Sequence, residues 1–208
     1  MNKPRFSSST EEHEATTEGG DRRGNDRFRT VCRIAKVVRD DDVGLWLVRN
    51  LSDRGMMLST EVPVAVGERL KIALSDTVVL DAKVVWSKDG RCGVALDEEV
   101  DGAGVLKQLA AEQRAGDYRA PRLPVHSRAQ ATTESGATSE IELVDMSQHG
   151  AGYVHGDHLE VGKQIQLTLA GGIQRRAIVR WSRGGRGGLW FTAPLERGDL
   201  ESIRRFET

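Results

Sequence analysis

No stretch of the chain approaches the roughly 18 consecutive apolar residues that identify a membrane-spanning helix, so a membrane span is excluded. Cysteine is scarce. Cys32 and Cys92 lie too far apart in sequence to form a zinc knuckle by themselves, and they read as buried thiols in a reducing compartment. Charge of one sign is lacking as well: the formal net charge is −1, so no global field draws the chain to nucleic acid or membrane. The opening "MNKPRFSSSTEEHEATTEGG" has no apolar core of the signal-peptide kind, and a cytoplasmic protein is expected. No serine sits in a nucleophile elbow, and no phosphate-cradling loop opens a helix. His155 and His158 have metal-like spacing but no third ligand, and read as a solvated loop. Neither an enzyme nor a metal or cofactor site is expected.

What is present is 208 residues, 38% hydrophobic and 29% charged, enough for two ordinary domains with real cores. Residues 1–20 are rich in Ser, Thr and Glu without periodicity, and are expected to be a disordered tail. Beyond them, "DAKVVWSKDGRCGVAL" and "RAIVRWSRGGRGGLWF" read as one strand-turn-strand unit written twice. Arg27 and Arg122, Ser52 and Ser147, Gly55 and Gly150, Trp86 and Trp181, and Gly93 and Gly188 all stand at the same offset, with no gap. Such an offset marks a tandem duplication, and it divides the chain into units at 21–115 and 116–208.

Each unit reads as mostly strand. In "TVVLDAKVVW", Val78, Leu80, Ala82, Val84 and Trp86 fall on one face and Asp81 and Lys83 on the other, which predicts a half-buried antiparallel strand with all five on its inner face. Ile173, Ala177, Val179 and Trp181 are the counterparts in the second unit. "KDG" and "RGGRGG" are hairpin turns whose glycines supply positive φ; the second resembles an RNA-binding tract, but its twin marks it as a hairpin. About six short strands per unit predict a small closed barrel. "GAGVLKQLAAEQR" places Val105, Leu106, Leu109 and Ala110 at helical spacing, as a cap on the first barrel. "RGDLESIRRFE" reads as a shorter C-terminal helix buried through Leu200 and Ile203.

Two local motifs carry chemistry. Residues 21–39 hold seven Lys or Arg against two Asp, with Arg23 and Arg27 four apart in a Gly- and Asn-containing segment. Downstream, Asn50-Leu51-Ser52-Asp53-Arg54-Gly55 is by itself a tight turn: Asn, Ser and Asp bond their own backbone, and Gly tolerates a left-handed conformation. An RxxxR arm followed by a [D/N]xSxxG turn on a six-stranded barrel resembles the PilZ domain, the bacterial receptor module for cyclic di-GMP. The resemblance implies a mainly β fold, two tandem six-stranded antiparallel barrels each followed by a short helix. It also implies a ligand site of Arg22, Arg23, Arg27, Asn50, Ser52 and Gly55. Physical chemistry suits that ligand. Cyclic di-GMP offers two phosphates and two flat purines, and a planar guanidinium both forks onto phosphate or a guanine edge and stacks on the base.

The second unit keeps the turn, Asp145-Met146-Ser147-Gln148-His149-Gly150, but has Asp117 and Tyr118 where the arm has Arg22 and Arg23. Arg119, Arg122, Asp145, Ser147 and Gly150 therefore form at most a weak second site. The expectation is a cytoplasmic cyclic di-GMP receptor in which ligand orders the arm of the first barrel and changes a surface that an unidentified effector protein engages. The rival expectation is a PilZ-fold interaction adaptor without nucleotide. Nucleic acid is not expected as a partner, because no exposed stacking aromatics accompany the basic arm.

Overall fold

The computed structural model describes residues 29–116, 119–154 and 159–206. The first barrel is built from β1 (Arg29–Val38), β2 (Val43–Leu51), β3 (Gly55–Ser59), β4 (Arg69–Ala73), β5 (Val79–Lys88) and β6 (Arg91–Leu96). The helix α1 (Gly102–Ala115) follows it. The second barrel contains β7 (Leu123–Thr133), β8 (Thr138–Ser147), β9 (Gly150–Val154), β10 (Gln164–Thr168), β11 (Gln174–Arg183) and β12 (Arg186–Phe191). Both sheets close, in the order β1-β2-β3-β6-β5-β4 and its equivalent β7-β8-β9-β12-β11-β10. Closure removes the free edges that short antiparallel strands otherwise expose. Among the described residues no helix is long and apolar enough to cross a membrane.

Alternation drives each core. Ala35, Val37, Trp46, Val48, Leu58, Ile72, Ala82 and Val84 fill the first barrel, with Leu109 of α1 closing its end and Val105 and Leu106 packed beside it. The predicted helix face is therefore right except at Ala110, which is exposed. Asp101 caps α1 by accepting from the Gly104 amide at 2.9 Å, and Gly116 ends it in the left-handed conformation at φ 77°. The β5–β6 hairpin turns through Asp89 and Gly90, both at positive φ, and β11–β12 turns through Gly184 and Gly185.

Three expectations are corrected. Trp86 does not join the inner face of β5: a bulge between Val84 and Trp86 shifts the alternation, leaving Trp86 42% exposed. The same bulge between Val179 and Trp181 leaves Trp181 51% exposed. Cys32 is exposed on β1, and only Cys92 is buried. The C-terminal segment is not one helix but two 3-10 turns, Arg197–Leu200 and Ile203–Arg205, because residues between them are drawn into the other barrel.

That contact joins the two units. The Trp46 indole N–H, buried in the first barrel, donates to the Glu201 carbonyl at 2.9 Å. Glu201 itself is buried, and its carboxylate accepts from Thr60 Oγ1 at 3.1 Å and the Glu61 amide at 2.5 Å. Asp42, also buried, accepts from Ser202 Oγ at 2.9 Å and the Ile203 amide at 3.2 Å. Gly44 makes the approach possible, since a Cβ there would lie 2.0 Å from the Glu201 carbonyl oxygen. Apolar contacts accompany these bonds: Leu45, with Ile34 and Val43 beside it, packs into the core of the second barrel.

Glu201→Ala leaves the buried Thr60 hydroxyl and the part-buried Glu61 amide without their acceptor, and each such loss costs on the order of 1–3 kcal/mol. A urea titration is expected to show a stability loss of about 2–4 kcal/mol, with a smaller loss for Glu201→Gln.

The Cys92 thiol is pushed up to about 11, first by burial and then by the nearby Glu68 carboxylate. It stays protonated in the folded protein at neutral pH, whereas the unfolded thiol ionises from about pH 8.5 upward. A thiol reagent at about pH 8 is thus expected to modify Cys32 alone in the native chain and both cysteines in denaturant.

Candidate ligand site

The Asn50–Gly55 turn links β2 to β3 and is held by its own polar groups. Ser52 is buried; its amide donates to the Gly55 carbonyl at 2.8 Å, and its hydroxyl sits 3.1 Å from both the Gly55 amide and the Gly55 carbonyl. Asn50 Oδ1 accepts from the Met57 amide at 3.0 Å, a contact that fixes the side chain and leaves its NH2 group without a partner among the described residues. Asp53 ties the turn to the rest of the domain: Oδ1 accepts from the Gly102 amide at 3.0 Å, at the start of α1, and lies 3.6 Å from Arg29.

Gly55 is not left-handed. It is a glycine because β3 runs close to β6, where a Cβ would stand 2.8 Å from the Val94 carbonyl oxygen. Gly93 serves a different end. The exposed Trp86 ring lies flat across it, and a Cβ there would be 2.0 Å from the indole nitrogen. Together Asn50, Ser52, Gly55, Met57, Trp86 and Gly93 bound an open groove of about 390 Å³. Trp86 offers this groove a flat aromatic surface, and Asn50 an amide donor. Sequence reasoning missed Trp86 as a site residue. Its signal was available in the pairing of Trp86 with Gly93 repeated as Trp181 with Gly188, where a Cβ on Gly188 would be 2.2 Å from the indole nitrogen.

Arg22, Arg23 and Arg27 lie outside the described residues, as do Asp117, Tyr118, His155 and His158. The chain enters β1 at Arg29, which pairs with Leu51 at the edge of the turn.

The second barrel assembles its own version. Ser147 Oγ donates to the Gly150 carbonyl at 3.2 Å, and Gly150 passes so close to β12 that a Cβ would meet the Leu189 carbonyl oxygen at 2.2 Å. Asp145 Oδ1 accepts from the Gly152 amide at 3.0 Å, as Asn50 does from Met57. Here, however, the same carboxylate also pairs with Arg122. Arg119, Arg122, Asp145 and Ser147 line a cleft of about 790 Å³ that Lys36 and Asp76 of the first barrel close from the other side. Gly150 lies in an adjoining cavity of about 470 Å³ with Arg122 and Ser147. Among the described residues no cluster of His, Cys, Asp and Glu could hold a metal ion.

A duplicated six-stranded barrel with a polar turn beside an exposed tryptophan places the chain among tandem small β-barrel proteins. The chain belongs to the PilZ domain family, whose model matches residues 21–112 and again 116–207. Among solved structures, the chain is similar to Borreliella burgdorferi PlzA in complex with c-di-GMP, at 12% identity and a TM-score of 0.39, covering 89% of this chain and 95% of that one. It is also similar to Bacillus subtilis MotI/DgrA, an inhibitor of motility, at 11% identity and a TM-score of 0.31, covering 78% and 87%. Escherichia coli YcgR in complex with c-di-GMP matches at 10% identity and a TM-score of 0.28, covering 78% and 76%. No curated protein matches the sequence.

The two close glycines respond differently to a methyl group. Gly55→Ala drives Cβ against a backbone carbonyl that pairing holds in place, and is expected to cost about 1–3 kcal/mol in urea unfolding. Gly93→Ala meets only an exposed ring that can swing away. Its stability loss is expected to stay under about 1 kcal/mol, while acrylamide quenching of tryptophan fluorescence rises as Trp86 leaves the groove.

Proposed function

We propose that the chain is a cytoplasmic receptor for cyclic di-GMP that binds its ligand on the first barrel and performs no chemical step. One observation carries the reading: β1 begins beside the Asn50–Gly55 turn, with Arg29 against Leu51 in the ladder and within 3.6 Å of Asp53. A fully extended chain gains at most about 3.3–3.6 Å per residue, so Arg27 is tethered within roughly 7 Å of that point and Arg23 within roughly 21 Å. Both cationic forks are thereby within chain reach of the groove of Asn50 and Trp86. A ligand with two phosphates and two purines suits such a site: Arg23 and Arg27 supply charge-assisted contacts, Trp86 a stacking surface, and Asn50 a neutral donor. Ser52 and Gly55 shape the floor rather than reach the ligand, since the Ser52 hydroxyl is engaged inside the turn.

The second barrel is the poorer site for this ligand. Its remaining arm cation in register, Arg122, is already paired with Asp145, where the first barrel has the uncharged Asn50. A carboxylate facing a dianion at short range is repulsive even when water screens it. Ligand on the first barrel would order the arm, a step that absorbs on the order of 2–5 kcal/mol of the gross interaction energy. The ordered arm would then present a changed surface to an effector protein.

Calorimetric titration of the full chain with cyclic di-GMP tests this. Hydrogen bonds to charged groups contribute roughly 1.5–3 kcal/mol each, so Arg23→Ala or Arg27→Ala is expected to weaken binding about ten- to a thousandfold with unchanged unfolding. Arg122→Ala is expected to leave binding intact. Normal binding by Arg27→Ala would remove the arm from the site, and no binding by the unaltered chain would favour an adaptor that uses the fold alone.

A further inference from the structure

The two barrels share a strand plan but differ in charge over one stretch. Between residues 161 and 195 the chain has six Lys or Arg and no Asp or Glu, whereas the equivalent stretch, 66–100, has five Lys or Arg against seven Asp or Glu. Part of the difference falls on the outer side of β11 and β12. Arg176, Arg180, Trp181, Arg183, Arg186 and Trp190 are all exposed there. The ladder sets Arg183 opposite Arg186 and Ile178 opposite Trp190, so these side chains share a face. At the same places the first barrel has Asp81 for Arg176, Val85 for Arg180 and Ala95 for Trp190, while Lys88 and Arg91 match Arg183 and Arg186. Asp81 there is paired with Lys71 at 3.8 Å, while none of the four arginines is ion-paired among the described residues.

We infer that this face of the second barrel binds single-stranded nucleic acid. The argument turns on length and on aromatic exposure. From Arg176 to Arg183 a strand rises about 23 Å at roughly 3.3 Å per residue. Two cations suffice for a small dianion; four spread over that length suit a chain of phosphates. Trp181 and Trp190, 51% and 43% exposed, supply what the basic arm lacks, flat surfaces on which unpaired bases stack. Both also line the cavity of about 470 Å³, whose other walls include His149 and, from the first barrel, Ile34 and Leu45. A splayed base can enter that cavity, whereas a base inside a duplex shows only its edge. The inference does not rest on the cyclic di-GMP reading, which uses the other barrel.

The test is fluorescence anisotropy of a labelled oligothymidylate of about 20 nucleotides, titrated with the full chain. Four phosphate contacts predict a log–log salt slope near −3 and about a fiftyfold loss of affinity between about 50 and 200 mM salt. Arg176→Asp with Arg180→Val installs residues the same barrel framework already carries in the first copy. It is expected to weaken binding at least tenfold and halve the slope. Trp190→Ala is expected to weaken binding roughly tenfold with the slope unchanged. Thermal unfolding and cyclic di-GMP calorimetry of these variants are expected to match the unaltered chain, which separates failure here from failure of the receptor reading. Absence of salt-dependent binding, equal affinity of the double variant, or tighter binding of a duplex of the same length would overturn the inference. So would equal affinity for thymidine monophosphate, or displacement of the oligonucleotide by micromolar cyclic di-GMP in an Arg23→Ala/Arg27→Ala chain.

Discussion

Closure of each barrel through its first strand is the constraint on which the rest depends. β1 pairs with β2 along its length but with β4 only over Lys36–Val38. Its first half therefore belongs to the sheet on one side only, and the polypeptide leaves the barrel at the edge of the Asn50–Gly55 turn. A sheet that stayed open would let that end drift from the turn. Closure places the start of β1, the polar turn and the Trp86 ring at one rim without any of them needing to contact another directly.

Two bulges do comparable work. A regular β5 would bury Trp86 and turn Val85 outward alone; the extra residue brings both outward, and Gly93 opposite lets the ring lie on the strand. The duplication preserved this device in Trp181 and Gly188, while the charges around it diverged. Backbone geometry and surface chemistry were thus free to change separately. The barrel is stabilised by inward residues, and substitutions on the outer side, such as aspartate at 81 against arginine at 176, leave its packing untouched.

The units are not beads on a string. Buried Asp42 and Glu201 each accept two hydrogen bonds across the junction, and the Trp46 indole reaches a backbone carbonyl of the other unit. Buried carboxylates satisfied in this way define one geometry, because a shifted interface would leave them without donors in a low-dielectric environment. Any change at the first barrel's rim is therefore felt against a fixed neighbour, and the second barrel's exposed face is presented at a set angle to it.

Sequence alone determined what depends on near neighbours along the chain. The duplication was legible from a constant offset, the strands from their alternation, the hairpins from Asp89-Gly90 and Gly184-Gly185, and α1 from its apolar spacing. The Asn50–Gly55 turn was legible as a motif because its spacing is local. Tertiary structure alone decided the rest. Trp86 and Trp181 face outward because a bulge is a mismatch between two strands and leaves no mark in either one. Cys32 is exposed although it stands in a barrel strand, and Gly55 is required by the distance to Val94 rather than by its own φ. The C-terminal segment follows the same rule: Leu200 is buried as its spacing suggests, but the helix breaks because Glu201 and Ser202 find donors and acceptors some 140 to 160 residues earlier in the chain, a pairing that only the packed barrels bring within hydrogen-bond range.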